Sequence, residues 1–243
     1  MGGFNAAGVS LNTVYVFDGS RWASGPRLPL PLDHSSAATL GDRLYIAGGH
    51  SNGGDSARLF RLDGTRWTEL ASMHHARGGH AVIAANGRLY AIVGNTVLGN
   101  VATPEVYDPG ANRWTVLPAL PQPRNHVAGF VLGGLVCVAG RRSPNTPRVD
   151  CLDTSRLTWS RRPDLPRATS GGGDAVESRM VDQLATYLGG SRWSATQRML
   201  SPRHGFELAM FNGRAWACGG GSAPGLHPVA TCTSFRDPPS LDG

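Results

Sequence analysis

The sequence predicts an all-β fold built from a repeated unit of four short strands. Tryptophans recur at an almost constant spacing, with Trp22, Trp67, Trp114 and Trp159 separated by 45, 47 and 45 residues. A period of this length is typical of proteins assembled from repeated β units. The chain also contains 33 glycines and 17 prolines, and only 16% of its residues are charged. This composition indicates many short strands joined by tight turns.

Each tryptophan closes a similar phrase, in which a strand leads into a turn that begins with aspartate. The phrase is Asp-Gly-Ser-Arg-Trp at Trp22, Asp-Gly-Thr-Arg-Trp at Trp67 and Asp-Pro-Gly-Ala-Asn-Arg-Trp at Trp114. An aspartate that starts a turn accepts hydrogen bonds from the amides that follow it. We therefore expect a structural role for the four equivalent aspartates, Asp18, Asp63, Asp108 and Asp153, and a packing role for the tryptophans between neighbouring units.

Two further strands precede each tryptophan phrase. One is an apolar strand that ends at glycine, as in residues 43–49 and 88–94. Ahead of it lies a strand of small residues, as in 35–40, which is narrow enough to pack near a crowded axis. Each repeat thus supplies four antiparallel strands, which form one blade of a β-propeller.

The joint pattern of a glycine doublet after a tyrosine-containing strand, then Tyr-Asp or Phe-Asp, then tryptophan, resembles the kelch repeat. No tryptophan in the chain is followed by aspartate, so the pattern does not favour the other common propeller repeat, which carries a Trp-Asp dipeptide. The resemblance runs from Gly2 to about Phe235. It implies a kelch-type β-propeller of about six blades of four antiparallel strands, with the small-residue strand innermost and the tryptophan strand outermost.

Residues 1–235 are predicted to form this single propeller domain, with blades one, five and six incomplete. Blade one lacks an innermost strand and blade six lacks an outer tryptophan strand, so we interpret the chain as N-terminally truncated. Blade five is short, because Trp159 and Trp193 are only 34 residues apart, and we place a deletion near 174–181. Residues 182–188 are predicted to form its third strand and residues 192–195 its fourth. Residues 236–243 contain little to bury and are predicted to be a disordered tail.

Composition argues against several classes of partner. The formal charge is +6, and every one of the 23 basic residues is arginine, a bias typical of a GC-rich bacterial genome. The arginines are dispersed, so we predict no nucleic-acid partner. The longest uncharged stretch, residues 127–140, is too short and too broken by glycine to insert into a membrane. The first residues resemble no export signal, which leaves a cytoplasmic and a secreted or periplasmic location both open.

The four cysteines form two pairs, Cys137 with Cys151 and Cys218 with Cys232, each separated by 14 residues. Two cross-strand disulfides would fit this spacing. However, Cys151 follows an acidic position of its strand whereas Cys232 precedes it, which would place them on opposite faces of a pleated strand. We therefore favour buried thiols.

All eight histidines lie in two kinds of loop, and some of the arginines lie there too. These loops emerge at the same end of a blade with four antiparallel strands. A rim of these side chains would attract anionic groups. The candidate ligand-binding residues are Arg77, Arg124, His126, Arg141, Arg167, Arg203, His204, His34 and His50. The structural alternative is that the repeated Pro-Arg element, as in Pro123-Arg124 and Pro166-Arg167, is part of the repeat and ties its loops together.

The kelch resemblance implies a binding protein whose ligand is a protein, an acidic peptide or a glycan. We expect a monomer that needs no cofactor. The enzymatic alternative is a carbohydrate-acting protein such as a sialic-acid mutarotase, because similar bacterial propellers use channel arginines and an acid. The candidates for that chemistry are Glu207, Arg203 and His204, with the acid or histidine moving a proton. No metal site is predicted, since neither His-Glu-x-x-His nor Cys-x-x-Cys occurs.

Overall fold

A computed structural model describes residues 1–52, 54–142, 144–169, 174–176, 179–180, 183–187, 193–199, 203–223, 227 and 229–236. In these ranges every regular element is a β-strand, and nothing there is a helix that could cross a membrane. Seven of the eight residues of the predicted tail, 237–243, lie outside the described part of the chain. Two compact units are present: unit one comprises 1–125, 129–136 and 153–158, and unit two comprises 126–128, 137–152 and 159–243.

The first two sheets of unit one correspond to the predicted blades one and two. Blade one is a pair of strands, β1 (Tyr15–Phe17) and β2 (Trp22–Ser24). Blade two has the strand order β3-β4-β7-β8 and carries a short hairpin, β5–β6, between its second and third strands. The bounds are β3 (Ser36–Leu40), β4 (Arg43–Ala47), β5 (His50–Ser51), β6 (Gly54–Asp55), β7 (Leu59–Asp63) and β8 (Arg66–Leu70).

Blade three repeats this arrangement one period later. Its strand order from one edge is β9-β10-β13-β14, and the hairpin β11–β12 again lies between the second and third strands. The bounds are β9 (Ala81–Ala85), β10 (Arg88–Ile92), β11 (Asn95–Thr96), β12 (Gly99–Asn100), β13 (Glu105–Asp108) and β14 (Arg113–Val116). Blades two and three thus carry equivalent short hairpins between their second and third strands.

Blade four is a four-stranded sheet in the order β15-β16-β17-β18, and the later sheets have fewer strands. Blade five pairs β21 with β22, which agrees with the third and fourth strands predicted after the deletion, and blade six has the order β23-β24-β25. The bounds are β15 (Ala128–Leu132), β16 (Leu135–Ala139), β17 (Val149–Asp153), β18 (Thr158–Arg162), β19 (Asp174–Val176), β20 (Arg179–Met180), β21 (Gln183–Tyr187), β22 (Trp193–Arg198), β23 (Leu208–Phe211), β24 (Arg214–Cys218) and β25 (Cys232–Arg236). The kelch-type propeller prediction is confirmed, with blades two, three and four complete.

The core of unit one follows from the alternation of side chains along each strand. Tyr45 of β4 faces blade three, where it joins a buried cluster with Tyr107 and Trp114. The next residue, Ile46, faces the opposite way into a second cluster with Trp67. A blade therefore buries both faces, one against each neighbour.

The tryptophans of the repeat make one recurring hydrogen bond. The Nε1–H group of Trp67 donates to the carbonyl of Pro26 at 2.9 Å, and that of Trp114 donates to Ala71 at 2.8 Å. Trp193 of the short blade five makes the corresponding bond to Pro163 at 2.9 Å. Trp22 departs from the predicted packing role, because in the two-stranded blade one its side chain is 51% exposed.

The predicted structural role is confirmed for three of the four turn aspartates, whereas Asp63 binds the side chains of Arg61 and Thr68. Asp18 accepts hydrogen bonds from the backbone amides of Ser20 and Arg21, at 2.8 and 2.9 Å. Asp108 and Asp153 accept equivalent pairs of amide hydrogen bonds in their own turns. These bonds stabilise the ionised carboxylate, and those to Arg21 and Ser20 lower the pKa of Asp18 to about 2.

The cysteine prediction was wrong, because the structure contains two disulfides and no cysteine thiol. Cys137 is bonded to Cys151 and Cys218 to Cys232, with Cα–Cα distances of 4.0 and 4.1 Å. The prediction compared the strand faces of Cys151 and Cys232, which belong to different blades and do not pair with each other. What matters is whether the two members of a pair lie opposite each other on adjacent antiparallel strands, since such residues share a face and lie close together. Cys218 and Cys232 are such cross-strand partners.

Candidate functional site

Three of the predicted ligand-binding arginines are buried, which corrects their assignment to the solvent-facing rim. Arg77 is completely buried, and its Nη1 donates to the carbonyls of Val93 and Thr103 at 3.0 and 2.9 Å. Its Nη2 donates to Glu105 at 2.7 Å, and that carboxylate is also fully buried. Arg77 thus ties together the two ends of the connection between the second and third strands of blade three.

Arg203 has the same role in blade six. Its side chain is 1% exposed, and Nη1 donates to the carbonyls of Gly219 and Thr231 at 3.1 and 2.7 Å. Arg124, at the equivalent place in blade four, is also 1% exposed. A guanidinium has five N–H donors in a fixed planar array, so one side chain can bind several loop carbonyls at once. The structural interpretation of the Pro-Arg element therefore describes Arg203 better than the ligand-binding one, and Arg77, which follows Ala76, ties its loop in the same way.

Glu105 is the carboxylate around which the blade-three loop is organised. It accepts hydrogen bonds from the backbone amides of His74 and His75, at 2.7 and 3.0 Å, as well as from Arg77. Burial is the largest influence on this group and favours the protonated acid. The bonds from His74 and His75 and the charge of Arg77 together outweigh it, so the pKa of Glu105 lies below its ordinary value.

On the surface of unit one, His34 and His50 lie side by side, each fixed by a carboxylate. His34 Nδ1 hydrogen-bonds to Asp33 at 2.6 Å, and His50 Nδ1 to Asp55 at 2.7 Å. The two imidazole rings meet edge to face, with their centroids 5.4 Å apart. Both side chains are partly exposed. These two predicted ligand-binding residues are therefore brought together by the structure and accessible to solvent.

The backbone explains this juxtaposition. Asp33 and His50 form an antiparallel bridge with N–H to O distances of 2.9 and 2.7 Å. Gly49, which precedes His50, has a φ of 100°, and a Cβ at this position would lie 2.6 Å from the carbonyl oxygen of Asp33. Only glycine combines this dihedral angle with so close an approach. The glycine doublet of the repeat thus allows the β5–β6 hairpin to lie against the segment that enters the inner strand.

The β11–β12 hairpin presents two aliphatic side chains to solvent beside this pair. Val97 and Leu98 form its tip and are 85% and 95% exposed. The backbone amide of Val97 donates to Asp55 Oδ2 at 3.1 Å, so the carboxylate that fixes His50 also fixes this hairpin. Sequence reasoning missed these residues. The available signal was an aliphatic pair inside a loop that the repeat otherwise fills with polar residues and glycine.

His80 lies beneath the surface at the start of β9, where it is 4% exposed. Among the described residues, neither of its ring nitrogens has a hydrogen-bond partner. Burial lowers its pKa to about 3, with further contributions from the nearby charges of Arg77 and His50. A buried imidazole in this environment is uncharged at neutral pH.

In unit two the remaining candidates occupy several environments. His126 lies 3.3 Å from Arg142 through its Nε2, Arg141 is partly buried, and Arg167 is exposed. His204 Nε2 is 3.1 Å from the carbonyl of Ala223, and Glu207 is exposed. No cluster of three or more metal-ligating side chains occurs in the part of the chain that the structure describes.

The carbohydrate-acting alternative assigned the sugar carboxylate to arginine, with Arg203 as a candidate. The Arg203 guanidinium is instead buried and hydrogen-bonded to backbone carbonyls of its own blade. Glu207 and His204 keep their positions next to the inner strand of blade six, but the proposed arginine clamp is not on the solvent side.

Comparison with known proteins agrees with the repeat. A family model described as the Kelch motif matches residues 31–74 and 76–121. The chain is 31% identical over 160 residues to Kelch-like protein 35 of Mus musculus, which covers 63% of this chain and 27% of that protein. Kelch-like protein 34 of Homo sapiens is 31% identical over 218 residues, with coverage of 78% and 33%. Alpha-scruin of Limulus polyphemus is 29% identical over 156 residues, with coverage of 57% and 17%.

The chain therefore spans about a third or less of the length of these relatives. Among solved structures, that of YjhT superimposes with a TM-score of 0.74 at 16% identity, covering 96% of this chain and 90% of that one. At this identity the likeness concerns the fold alone. Taken with the recurring tryptophan contacts, these comparisons show that the chain carries kelch repeats.

Proposed function

We propose that this chain is a protein-binding propeller that contacts its partner through one surface of unit one. This surface, called the hairpin face below, comprises His34, the β5–β6 hairpin and the β11–β12 hairpin. The observation that carries the proposal is the almost complete exposure of the neighbouring side chains Val97 and Leu98 at the tip of a hairpin. Kelch repeats generally mediate protein interactions, and the kelch repeats of this chain support the same class of function.

Two adjacent exposed aliphatic side chains are suited to act as anchors. Fully burying one aliphatic side chain is worth about 1.5–3 kcal/mol. Binding energy at protein interfaces is concentrated in a few such residues, which enter pockets on the partner. The hairpin that carries them is short, and its backbone is held by Asp55. A fixed anchor loses less conformational entropy on binding than a flexible one.

The surroundings of the anchors are polar and already ordered. His34 and His50 are held by Asp33 and Asp55, and the Asn125 side chain donates to Asn100 on β12 at 2.6 Å. An apolar centre with a polar, hydrogen-bonded rim is the usual anatomy of a protein interface. At this face the arrangement favours a protein over an acidic peptide or an acidic glycan, since such ligands would need exposed arginines and the predicted arginines of unit one, Arg77 and Arg124, are buried.

The proposal is tested by site-specific photo-crosslinking. A photoreactive amino acid replaces Leu98 in one sample and Leu157 in a matched control, because Leu157 is also an exposed leucine in a turn, but between β17 and β18. The proposal predicts a discrete protein adduct from position 98 and none from position 157. Equal labelling from both positions, or labelling by acidic glycans alone, would contradict it.

A further inference from the structure

Both disulfides of unit two close the same kind of connection, the one between the second and third strands of a blade. Cys137 in β16 is bonded to Cys151 in β17, and Cys218 in β24 to Cys232 in β25. We propose that these bonds hold together the two ends of the blade-four loop and of the blade-six loop. We further propose that the chain folds in a compartment where cysteine thiols are oxidised to disulfides. This inference is independent of the proposed protein partner.

Blade three shows how a loop of this kind is held without a disulfide. There Arg77 binds the carbonyls at both ends of the loop and forms a buried ion pair with Glu105. In the register of the sheet, Glu105 lies opposite Ala91. The Arg77 side chain thus fixes the two ends of the loop through two hydrogen bonds to carbonyls and one ion pair.

In blade six the corresponding arginine is retained but the carboxylate is replaced. Arg203 binds the carbonyls of Gly219 and Thr231, as Arg77 does in blade three. Ala217 lies opposite Thr233, so Thr233 occupies the register position of Glu105. Cys232, the residue between the two threonines, supplies the covalent bond to Cys218. The disulfide therefore joins the strands next to the position where blade three has its buried carboxylate.

The blade-four disulfide is inside the protein. Cys137 and Cys151 are both fully buried, and the four cysteines of the chain are all paired. Disulfides are rare in proteins that fold among cytosolic thiol reductants and are common in secreted and periplasmic proteins. Two disulfides in a chain with no remaining thiol therefore indicate an oxidising compartment, a choice that the sequence left open.

The chemistry needs an oxidant of the disulfide class, such as oxidised glutathione. For each pair, one thiolate attacks the disulfide of the oxidant and forms a mixed disulfide with loss of a thiolate. The second thiolate of the pair then attacks the cysteine sulfur of that mixed disulfide and releases the other thiolate. Each protein pair loses two protons and two electrons, and one oxidant molecule becomes two thiols.

The first test uses the chain produced in an oxidising compartment, then denatured and treated with iodoacetamide without reductant. We expect an intact mass lower by four hydrogens than that of the reduced chain, no alkylation, and proteolytic peptides linked as 137–151 and 218–232. Alkylation of any cysteine, or a different pairing, would overturn the proposal.

A second test measures what the bonds do, with double variants that remove one disulfide at a time, Cys137→Ala with Cys151→Ala and Cys218→Ala with Cys232→Ala. In the chain-entropy account, closing a loop of about 15 residues lowers the unfolding equilibrium constant on the order of 100-fold. We expect at least a tenfold faster cleavage by protease within 140–148 or 219–231 respectively, while cleavage of the hairpin face of unit one stays unchanged.

Unchanged cleavage in both double variants would refute the proposal that the disulfides hold the ends of these two loops. If a double variant fails to fold, the same cleavage sites are followed in the unmodified protein during stepwise reduction with dithiothreitol. Cleavage that begins in these two loops as the thiols appear supports the proposal, and cleavage that begins elsewhere contradicts it.

Discussion

Acidification is expected to destabilise this protein through one buried histidine. His80 is 4% exposed and has a pKa of about 3 in the folded chain, compared with about 6.5 for an ordinary histidine. Between these two values the unfolded chain binds a proton that the folded chain does not. Stability conferred by the uncharged His80 is therefore complete above pH 6.5 and is lost progressively as the pH falls towards 3.

The size of the effect follows from the separation of the two pKa values. Each pH unit within this window costs about 1.4 kcal/mol, so lowering the pH from 7 to 5 removes about 2 kcal/mol of unfolding free energy. Carboxylates with lowered pKa values, such as Glu105 and Asp33, contribute mainly below pH 5, where their unfolded forms become protonated. The interval from pH 7 to pH 5 therefore isolates the histidine contribution from the acidic residues.

The measurement is urea unfolding at pH 7, 6 and 5, followed by the fluorescence of the buried residues Trp67 and Trp114 in unit one. His80→Leu removes the titrating group, and His227→Leu is the matched control because His227 is exposed. We expect the pH-dependent loss to shrink by about 2 kcal/mol in His80→Leu and to stay unchanged in His227→Leu. An equal loss in all three proteins would refute the reasoning, as would direct observation by NMR that folded His80 takes up a proton above pH 5.

Three substitutions test the internal contacts of unit one. Glu105→Gln leaves the Arg77 charge buried without its counter-ion and should lower the urea-unfolding free energy by about 3–5 kcal/mol; a loss below 1 kcal/mol would show that the ion pair is dispensable. Trp114→Phe removes the indole hydrogen bond and should cost about 1–3 kcal/mol, whereas Trp22→Phe at the exposed equivalent position should cost less than about 0.5. Gly49→Ala should cost at least about 1 kcal/mol, because Cβ meets a backbone carbonyl; wild-type stability would contradict that steric argument.

Much of the fold could be predicted from the sequence, because its determinants are local and repeated. The spacing of Trp22, Trp67 and Trp114 gave the blade length, and the Asp-initiated turns located the outer hairpins. The last two strands of the short fifth blade were also located correctly, and Trp193 keeps the hydrogen bond of its equivalents. Such features can be recognised from a single sequence, because each repeat can be compared with the others in the same chain.

The candidate site was only partly predictable, because a charged side chain in a loop is not necessarily exposed to solvent. Arg77, Arg124 and Arg203 were predicted to form a basic rim, yet all three side chains are buried. Arg77 and Arg203 bind carbonyls of loops whose path cannot be read from the local sequence. His34 and His50 were selected for their loop positions, which the structure brings together through a backbone bridge. Val97 and Leu98 were missed, since an aliphatic pair in a sequence usually indicates burial.

The central claim is that the hairpin face of unit one binds a protein through Val97 and Leu98. The most direct measurement uses the partner that crosslinking identifies, purified on its own. Calorimetric titration gives its Kd for the unmodified chain, for Leu98→Asp and for the control Leu157→Asp. An anchor worth 2–4 kcal/mol predicts that Leu98→Asp weakens binding by roughly 30- to 1,000-fold, while Leu157→Asp changes the Kd less than about threefold. Equal affinities for Leu98→Asp and the unmodified chain would contradict the claim.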